Sequence, residues 1–494
     1  MNHSYEQLSR RYTELGHFQH VISMMQWDES VNMPAGGAAS RAAALSTLSG
    51  CRHEIKTQAQ IADEIKACKE LSLTQWQRRN LELIEKEYIK STILPVSLVQ
   101  RMTAAALACQ QQWRVSRAQN DWASLKPILE ESFNLIKEAA ERQSDHFQCS
   151  SYDVLLDEYM PGVNQAIIDP LFAELESQLP ERVSAIMAHQ NGGSVQPLKG
   201  TFEVDRQKKL SEEVMSSLGF DFNHGRLDET LHPFCGGVPE DVRVTTRYND
   251  QDVFFSLMAV CHETGHALYE QGLPESWRFQ PVGQALGMAV HESQSLFVEM
   301  QLCRSLPFYQ WCCPIIEKHI GAQPGLTAEN IFKLNTLVKP SLIRITADEV
   351  TYPLHVILRY QIEKKLFSGE MTVHDLPAYW NEMMHAYLGL KTEGNDADGV
   401  MQDVHWPSGA FGYFPAYTLG RLIAAQLFEV MERVMPDALS RVAQGEFQPI
   451  MLWLRDQVHQ YGSRLSMNEL VMQATGSTLS TKPFLNHLQS RYLG

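Results

Sequence analysis

The chain has 494 residues, 44% of them hydrophobic and 20% charged, which is the balance of a globular protein rather than a disordered or fibrous one. A formal net charge of −16 excludes nucleic acid as the principal partner, because phosphate binding needs a basic surface. Nine scattered cysteines without a C-x-x-C pair argue for a reducing, cytoplasmic compartment; no signal peptide and no uncharged apolar run of the roughly 18 to 20 residues of a membrane span is present.

Apolar residues recurring at three and four predict helices over 5–26, 71–88, 97–118, 125–147, 163–189 (interrupted at Pro170 and Pro180) and 205–218. Gly and Pro collect at 33–37, 191–194 and 236–239, where breaks are expected. The clearest strand is 241–248, with alternating polar and β-branched residues. Later helices are predicted over 283–304, 328–338, 342–366, 376–388, 418–434 and 447–461. No repeat, low-complexity tract or long linker divides the chain. The reading is a mainly α-helical single unit over 1–494, with two lobes around a groove and a small sheet beside the helix that carries the chemistry. Such a sheet suits an extended peptide held by its backbone.

That helix follows the strand. Val253, Phe254, Phe255, Leu257, Met258 and Val260 lead into His262-Glu263-Thr264-Gly265-His266, an H-E-x-x-H pattern. Positions i and i+4 share a helix face, so His262 and His266 can present two imidazoles to one divalent metal, with Glu263 beside a metal-bound water. Cys261 points about 100° away from its neighbour and reads as a small buried apolar residue.

A catalytic zinc takes three protein ligands and leaves one position for water. Glu292 lies 26 residues beyond His266, at the end of the apolar run 285–290, after a loop containing Pro274 and Pro281. That separation allows a loop and an antiparallel return helix, and makes Glu292 the preferred third ligand. Glu299 shares its face at i+7, His291 adjoins it, and Glu270 follows His266 at i+4; these are the rivals.

The pair His262-Glu263-x-x-His266 and His291-Glu292-Ser293-Gln294 resembles the M32 metallocarboxypeptidases, also known as the Taq carboxypeptidase family. Four further motifs of that family occur in order: His232-Pro233-Phe234, Asp241-x-Arg243-x-Thr245, Ile343-Arg344-x-x-Ala347-Asp348 and Gly399-x-x-Gln402-Asp403-x-His405-Trp406. The resemblance implies a helical fold with a deep groove, akin to neurolysin and angiotensin-converting enzyme. It further implies a homodimer, and one zinc or cobalt ion per chain on His262, His266 and Glu292. The implied reaction removes single residues from peptide C-termini, with broad specificity and little action on C-terminal proline.

The chemistry needs an activated water, a stabilised oxyanion and a proton for the leaving amine. Glu263 is expected to act as general base and then acid. The second oxyanion donor is expected from His405 and the tyrosines of 412–417; related helical peptidases place a His and Tyr in a similar late segment, which favours Tyr413 with His405 nearby. An exopeptidase must hold a free carboxylate, for which arginine is best suited. Arg344, read as lying in an apolar helix, leads, with a buried ion pair to Asp348 at i+4 as its plain structural alternative. Arg243 and Arg247 are alternates from the strand, and Gln402 and Tyr417 are grouped with the substrate-binding residues. Asp241 and Asp403 are expected to orient neighbouring side chains. His232 either faces the groove or caps a loop. The competing functions are an oligopeptidase or dipeptidyl carboxypeptidase on the same scaffold, an inactive peptide-binding protein, and a zinc site serving structure alone.

Overall fold

The structure is a computed structural model that describes residues 3–230 and 233–494. It is mainly α-helical with one three-stranded sheet, as expected. Helices His3–Val31, Ala59–Lys69 and Gln75–Thr92 enclose a small core of Tyr5, Leu8, Tyr12, Leu15, Ile61, Ile65, Leu81 and Ile84. A far larger core runs from Cys109 to Tyr492. Among the described residues no single helix is long and apolar enough to cross a membrane.

Several boundaries differ from the sequence reading for identifiable reasons. Helix Ala38–Lys56 was not predicted, because it buries no residue fully and so carries no apolar stripe to detect. Segment 163–189 is one helix, Gln165–Gln190, despite Pro170 and Pro180. Each proline costs about 3 kcal/mol in a helix interior. Ile168, Phe172, Leu175, Leu179, Val183 and Ile186 are buried at helical spacing, and each burial contributes about 1.5–3 kcal/mol, so the stripe prevails.

The sheet has the order β1 (Gly225–Glu229), β3 (Asp241–Thr246), β2 (Cys235–Val238), with β1 parallel and β2 antiparallel to β3. Side chains alternate between faces. Val242 and Val244 therefore point inward, onto Val260 and Ala267 of helix Val253–Gly272, here called the metal helix. Arg243 and Asp241 point outward, which has consequences for their predicted roles.

The return after the metal helix is helix Gly287–Leu296, continued by a π-helix over Phe297–Cys303, where a single α-helix was expected. Helix Pro415–Val434 packs across it. The segment 342–366 divides too: a 3-10 turn at Arg344–Thr346 precedes helix Tyr352–Ser368. Asp348 explains the break. Its Oδ1 accepts from the backbone N–H groups of Val350 and Thr351, and its Oδ2 accepts from that of Lys339, so it builds a turn instead of a helical ion pair.

Candidate active site

The metal helix starts at an Asp252 cap, whose carboxylate accepts from the N–H groups of Phe254 and Phe255. It presents His262 and His266 one turn apart. Nε2 of His262 lies 3.7 Å and Nε2 of His266 lies 3.5 Å from the same Glu292 oxygen, Oε2, and the three ligand atoms all lie within 4.8 Å of one another. Two glycines permit this approach. A Cβ on Gly265 would stand 2.5 Å from the backbone of Gln294 and Ser295, and one on Gly420 would stand 2.7 Å from Cγ of Glu292. The metal helix and helix Pro415–Val434 thus close on the return helix from both sides.

The other imidazole nitrogens are engaged, leaving Nε2 of each ring for an ion. Nδ1 of His262 donates to Glu299 Oε2 at 2.9 Å, while Arg304 holds Glu299 Oε1 through Nε and Nη2. His266 Nδ1 donates to His291 Nδ1 at 2.6 Å, and His291 Nε2 donates to Glu270 Oε1 at 2.8 Å; this proton placement is assigned from the network. The predicted third-ligand rivals Glu299, His291 and Glu270 are therefore partners that orient the two histidines. Glu299 and Glu292 would share one face in a regular helix. The π-helix begins between them and alters the turn, so Glu299 reaches the far nitrogen of His262.

Glu263 is buried, and its Oε2 has no hydrogen-bond partner among the described residues. Burial, with the nearby carboxylates of Glu292 and Glu299, raises its pKa to about 7, against the opposing pull of His262 and His291. Burial also lowers His266 to about 4. At His262 burial is outweighed by Glu292, Glu299 and Glu263, so its pKa rises to about 9; at Glu292 it is outweighed by His262, His266 and Arg421, giving about 2. A cation in this place would satisfy the concentrated negative charge, and the two-nitrogen, one-carboxylate donor set with a free carboxylate oxygen beside it fits a catalytic divalent ion.

The site opens on a cavity of about 640 Å³ whose lining includes the apolar Phe254, Phe255, Met258, Leu296 and Met300 together with Arg344, Ile345, Tyr352, Tyr417 and Arg421. Arg344 is buried, on the 3-10 turn instead of the predicted helix, and its partner is Asp403 instead of Asp348. Nε and Nη2 donate to Asp403 Oδ1 at 3.1 and 2.8 Å, and Nη1 donates to the Tyr352 hydroxyl. Arg359 donates to the other oxygen of Asp403 at 2.7 Å. Two guanidinium groups thus share one carboxylate. Asp403 has the orienting place expected of it.

The remaining predicted residues are distributed unevenly. Gln402 fastens the turn, accepting from the backbone N–H of Arg344 and donating to the carbonyls of Leu342 and Asp398. Arg243 is on the outer face of its strand, bound to Asp241 through two bonds of 2.6 Å and stacked 4.3 Å from the Trp27 ring. Arg247 is exposed. Tyr417 lines the cavity and lies 3.2 Å from His405 Nε2; Tyr413 packs behind it, 4.9 Å from the Tyr159 ring. Burial, and to a lesser extent the charge of Arg344, lowers the His405 pKa to about 3, and its Nδ1 has no partner among the described residues. His232 lies outside the described residues; Pro233 lines the cavity.

Sequence reasoning missed Arg359, Glu363 and Arg421. Glu363 accepts from Trp406 Nε1, the Tyr152 hydroxyl and the Gly412 N–H, and so holds the loop that carries His405 and Tyr413. A signal existed: Arg359 and Glu363 are one turn apart in the apolar run 352–367, where charge needs a buried partner.

Over residues 7–492 the chain matches the family described as carboxypeptidase Taq (M32) metallopeptidase. Carboxypeptidase 1 of Bacillus subtilis is 35% identical, over 97% of this chain and 96% of its own. Thermostable carboxypeptidase 1 of Thermus thermophilus is also 35% identical, over 99% and 98%. Among solved structures, metallocarboxypeptidase 1 of Trypanosoma cruzi superposes with a TM-score of 0.98 at 38% identity, covering 100% of both chains. The M32 carboxypeptidase of Deinococcus radiodurans R1 gives 0.95 at 33%, over 99% of this chain and 98% of that one. With a His-His-Glu cluster beside its cavity, the chain belongs to the M32 metallocarboxypeptidases and is a peptide hydrolase.

Proposed function

We propose that the chain is a zinc carboxypeptidase that releases single residues from the C-termini of peptides, with Glu263 as general base and acid. The observation that carries this reading is the convergence of His262 Nε2, His266 Nε2 and Glu292 Oε2 beside Glu263 Oε2, which has no partner among the described residues, in a cavity lined by three arginines. The nitrogen and carboxylate donors favour zinc, with cobalt as an alternative. An ion held there supplies a water of lowered pKa and polarises the scissile carbonyl.

The protein's own groups supply the rest. Glu263 accepts the water's proton and returns it to the leaving amine. Tyr417 stands ahead of Tyr413 as second donor to the oxyanion, because it lines the cavity; burial holds its hydroxyl well above the usual phenol pKa, so it remains protonated and can donate. His405, kept neutral, hydrogen-bonds to that hydroxyl. The substrate's carboxylate is received by the arginines that line the cavity, Arg344 among them. Broad side-chain tolerance accords with the mixed apolar and polar lining. Poor action on C-terminal proline accords with the rigid tertiary amide that proline presents.

The protein is proposed to work in the cytoplasm as a homodimer; all nine cysteines are free, as a reducing compartment requires. The test of the reaction class is mass spectrometry of one peptide offered with a free or an amidated C-terminus. A ladder of single C-terminal losses from the free acid, and almost none from the amide, is expected. Equal cleavage of both would replace the exopeptidase by an oligopeptidase on this scaffold.

A further inference from the structure

Three arginines line the cavity, and their surroundings differ. Arg304 is held by Glu299 and by the carbonyl of Asn335, and Arg344 is held by Asp403 and Tyr352. Arg421, from helix Pro415–Val434, is 5% exposed, yet it has no carboxylate within 4.0 Å among the described residues. Among the described residues it makes one hydrogen bond, from Nη1 to the carbonyl of Tyr417 at 3.0 Å, and its buried Nε–H has no partner. The guanidinium is stacked on the Tyr352 ring, 3.7 Å from the centroid, so it is fixed in place by stacking and not by a direct ion pair; Glu292 acts on it only at longer range.

A buried cation without an ion-pair partner is costly, and it persists where a ligand supplies the missing charge. Peptides with a free C-terminus bring a carboxylate into this cavity. Arg344 also neighbours the Tyr352 ring, 5.5 Å from its centroid, with one N–H left on each of Nη1 and Nη2 after its bonds to Asp403 and Tyr352. Arg304 has its charge matched by Glu299, and Arg243 is turned away on the outer strand face.

We infer that Arg421 is the residue that meets the substrate's C-terminal carboxylate, with Arg344 as the second donor. The inference rests on the carboxypeptidase reading and assigns its anchor. Arg421 then touches substrate and sets the preference for free acids, while the Arg344–Asp403–Arg359 group forms a rigid wall behind it. Tyr352 couples the two by stacking with one and hydrogen-bonding to the other.

The test uses the metal-loaded protein with an N-blocked tripeptide ending in phenylalanine, as free acid and as amide. R421Q is expected to lose about 10²–10³-fold in kcat/KM on the free acid, mainly through KM, so that the acid-to-amide ratio falls towards one. R421K, which keeps charge without the planar fork, should fall between R421Q and wild type. Competitive inhibition by free phenylalanine, a product carrying the same carboxylate, should weaken in parallel. Metal content measured beside each rate separates the rival role: if R421Q loses metal but keeps the wild-type ratio, Arg421 is a counter-charge for Glu292 and the inference is overturned. It is overturned equally if ratio and inhibition both stay at wild-type values. If R421Q does not fold, R421K decides by the same ratio. Failure of wild type itself to distinguish acid from amide would overturn the carboxypeptidase reading, whatever Arg421 does.

Discussion

Two buried charge clusters are handled in opposite ways. Around Glu349 every group is matched: Oε1 accepts from His487 Nε2 at 3.0 Å, while Oε2 accepts from Arg491 Nη1 at 3.1 Å and the Tyr492 hydroxyl at 3.0 Å, tying the final helix Lys482–Tyr492 to the core. Around the groove the accounting is incomplete. Glu263 Oε2, Arg421 Nε and His405 Nδ1 are buried without partners among the described residues. A satisfied cluster fixes structure, whereas an unsatisfied one is kept at a cost because something else completes it. The two should therefore fail differently when mutated.

The largest effect belongs to the open cluster. Glu263→Gln should lower kcat by about 10²–10⁴-fold and leave fold and metal content intact, as read by steady-state kinetics and metal analysis. Retained turnover would remove Glu263 from the mechanism. In the closed cluster, Glu349→Gln leaves Arg491 without its carboxylate and should cost about 3–5 kcal/mol of stability, seen as a lower melting temperature, with activity per folded molecule unchanged.

The same cluster has a pH signature. Burial opposes the Glu349 carboxylate, but His487 and Arg491 outweigh it and hold its pKa well below the usual range. A depressed carboxyl contributes stability above its unfolded pKa, about 4.3, and loses it as pH falls towards the folded value. The gap in melting temperature between wild type and Glu349→Gln should thus be widest above about pH 5 and shrink below about pH 4. A gap that grew in acid would contradict the assignment. The smallest effect on chemistry is at Glu299: Glu299→Gln should weaken metal binding by about 10–100-fold in a chelator competition, because Glu299 orients His262, and should also lower the melting temperature, because Arg304 loses its carboxylate.

The legibility of the molecule follows the same division. The His-His-Glu cluster is readable because H-E-x-x-H is local and Glu292 follows an apolar run. The return helix was foreseen, but not the π-helix, since its backbone pattern leaves no mark in hydrophobic periodicity. Arg344 was found and its partner missed: Asp403 is 59 residues away, and the pairing depends on a turn that Asp348 makes with backbone groups. Arg243 is an alternate in the sequence, but it lies on the outer strand face, because alternation in a strand tells which residues share a face, not which face meets the cavity. Arg421 was passed over because a charge inside a helical segment reads as solvated until its burial is known.

The glycines at 265 and 420 touch no substrate, yet they set how far Glu292 stands from the imidazoles. Coordination here is therefore a property of spacing between three helices as much as of ligand identity. In a saturation survey of the chain, these two positions would tolerate as little as the ligands themselves, and a transplant of the three ligands into another helical scaffold would fail unless it carried the same two missing methyl groups.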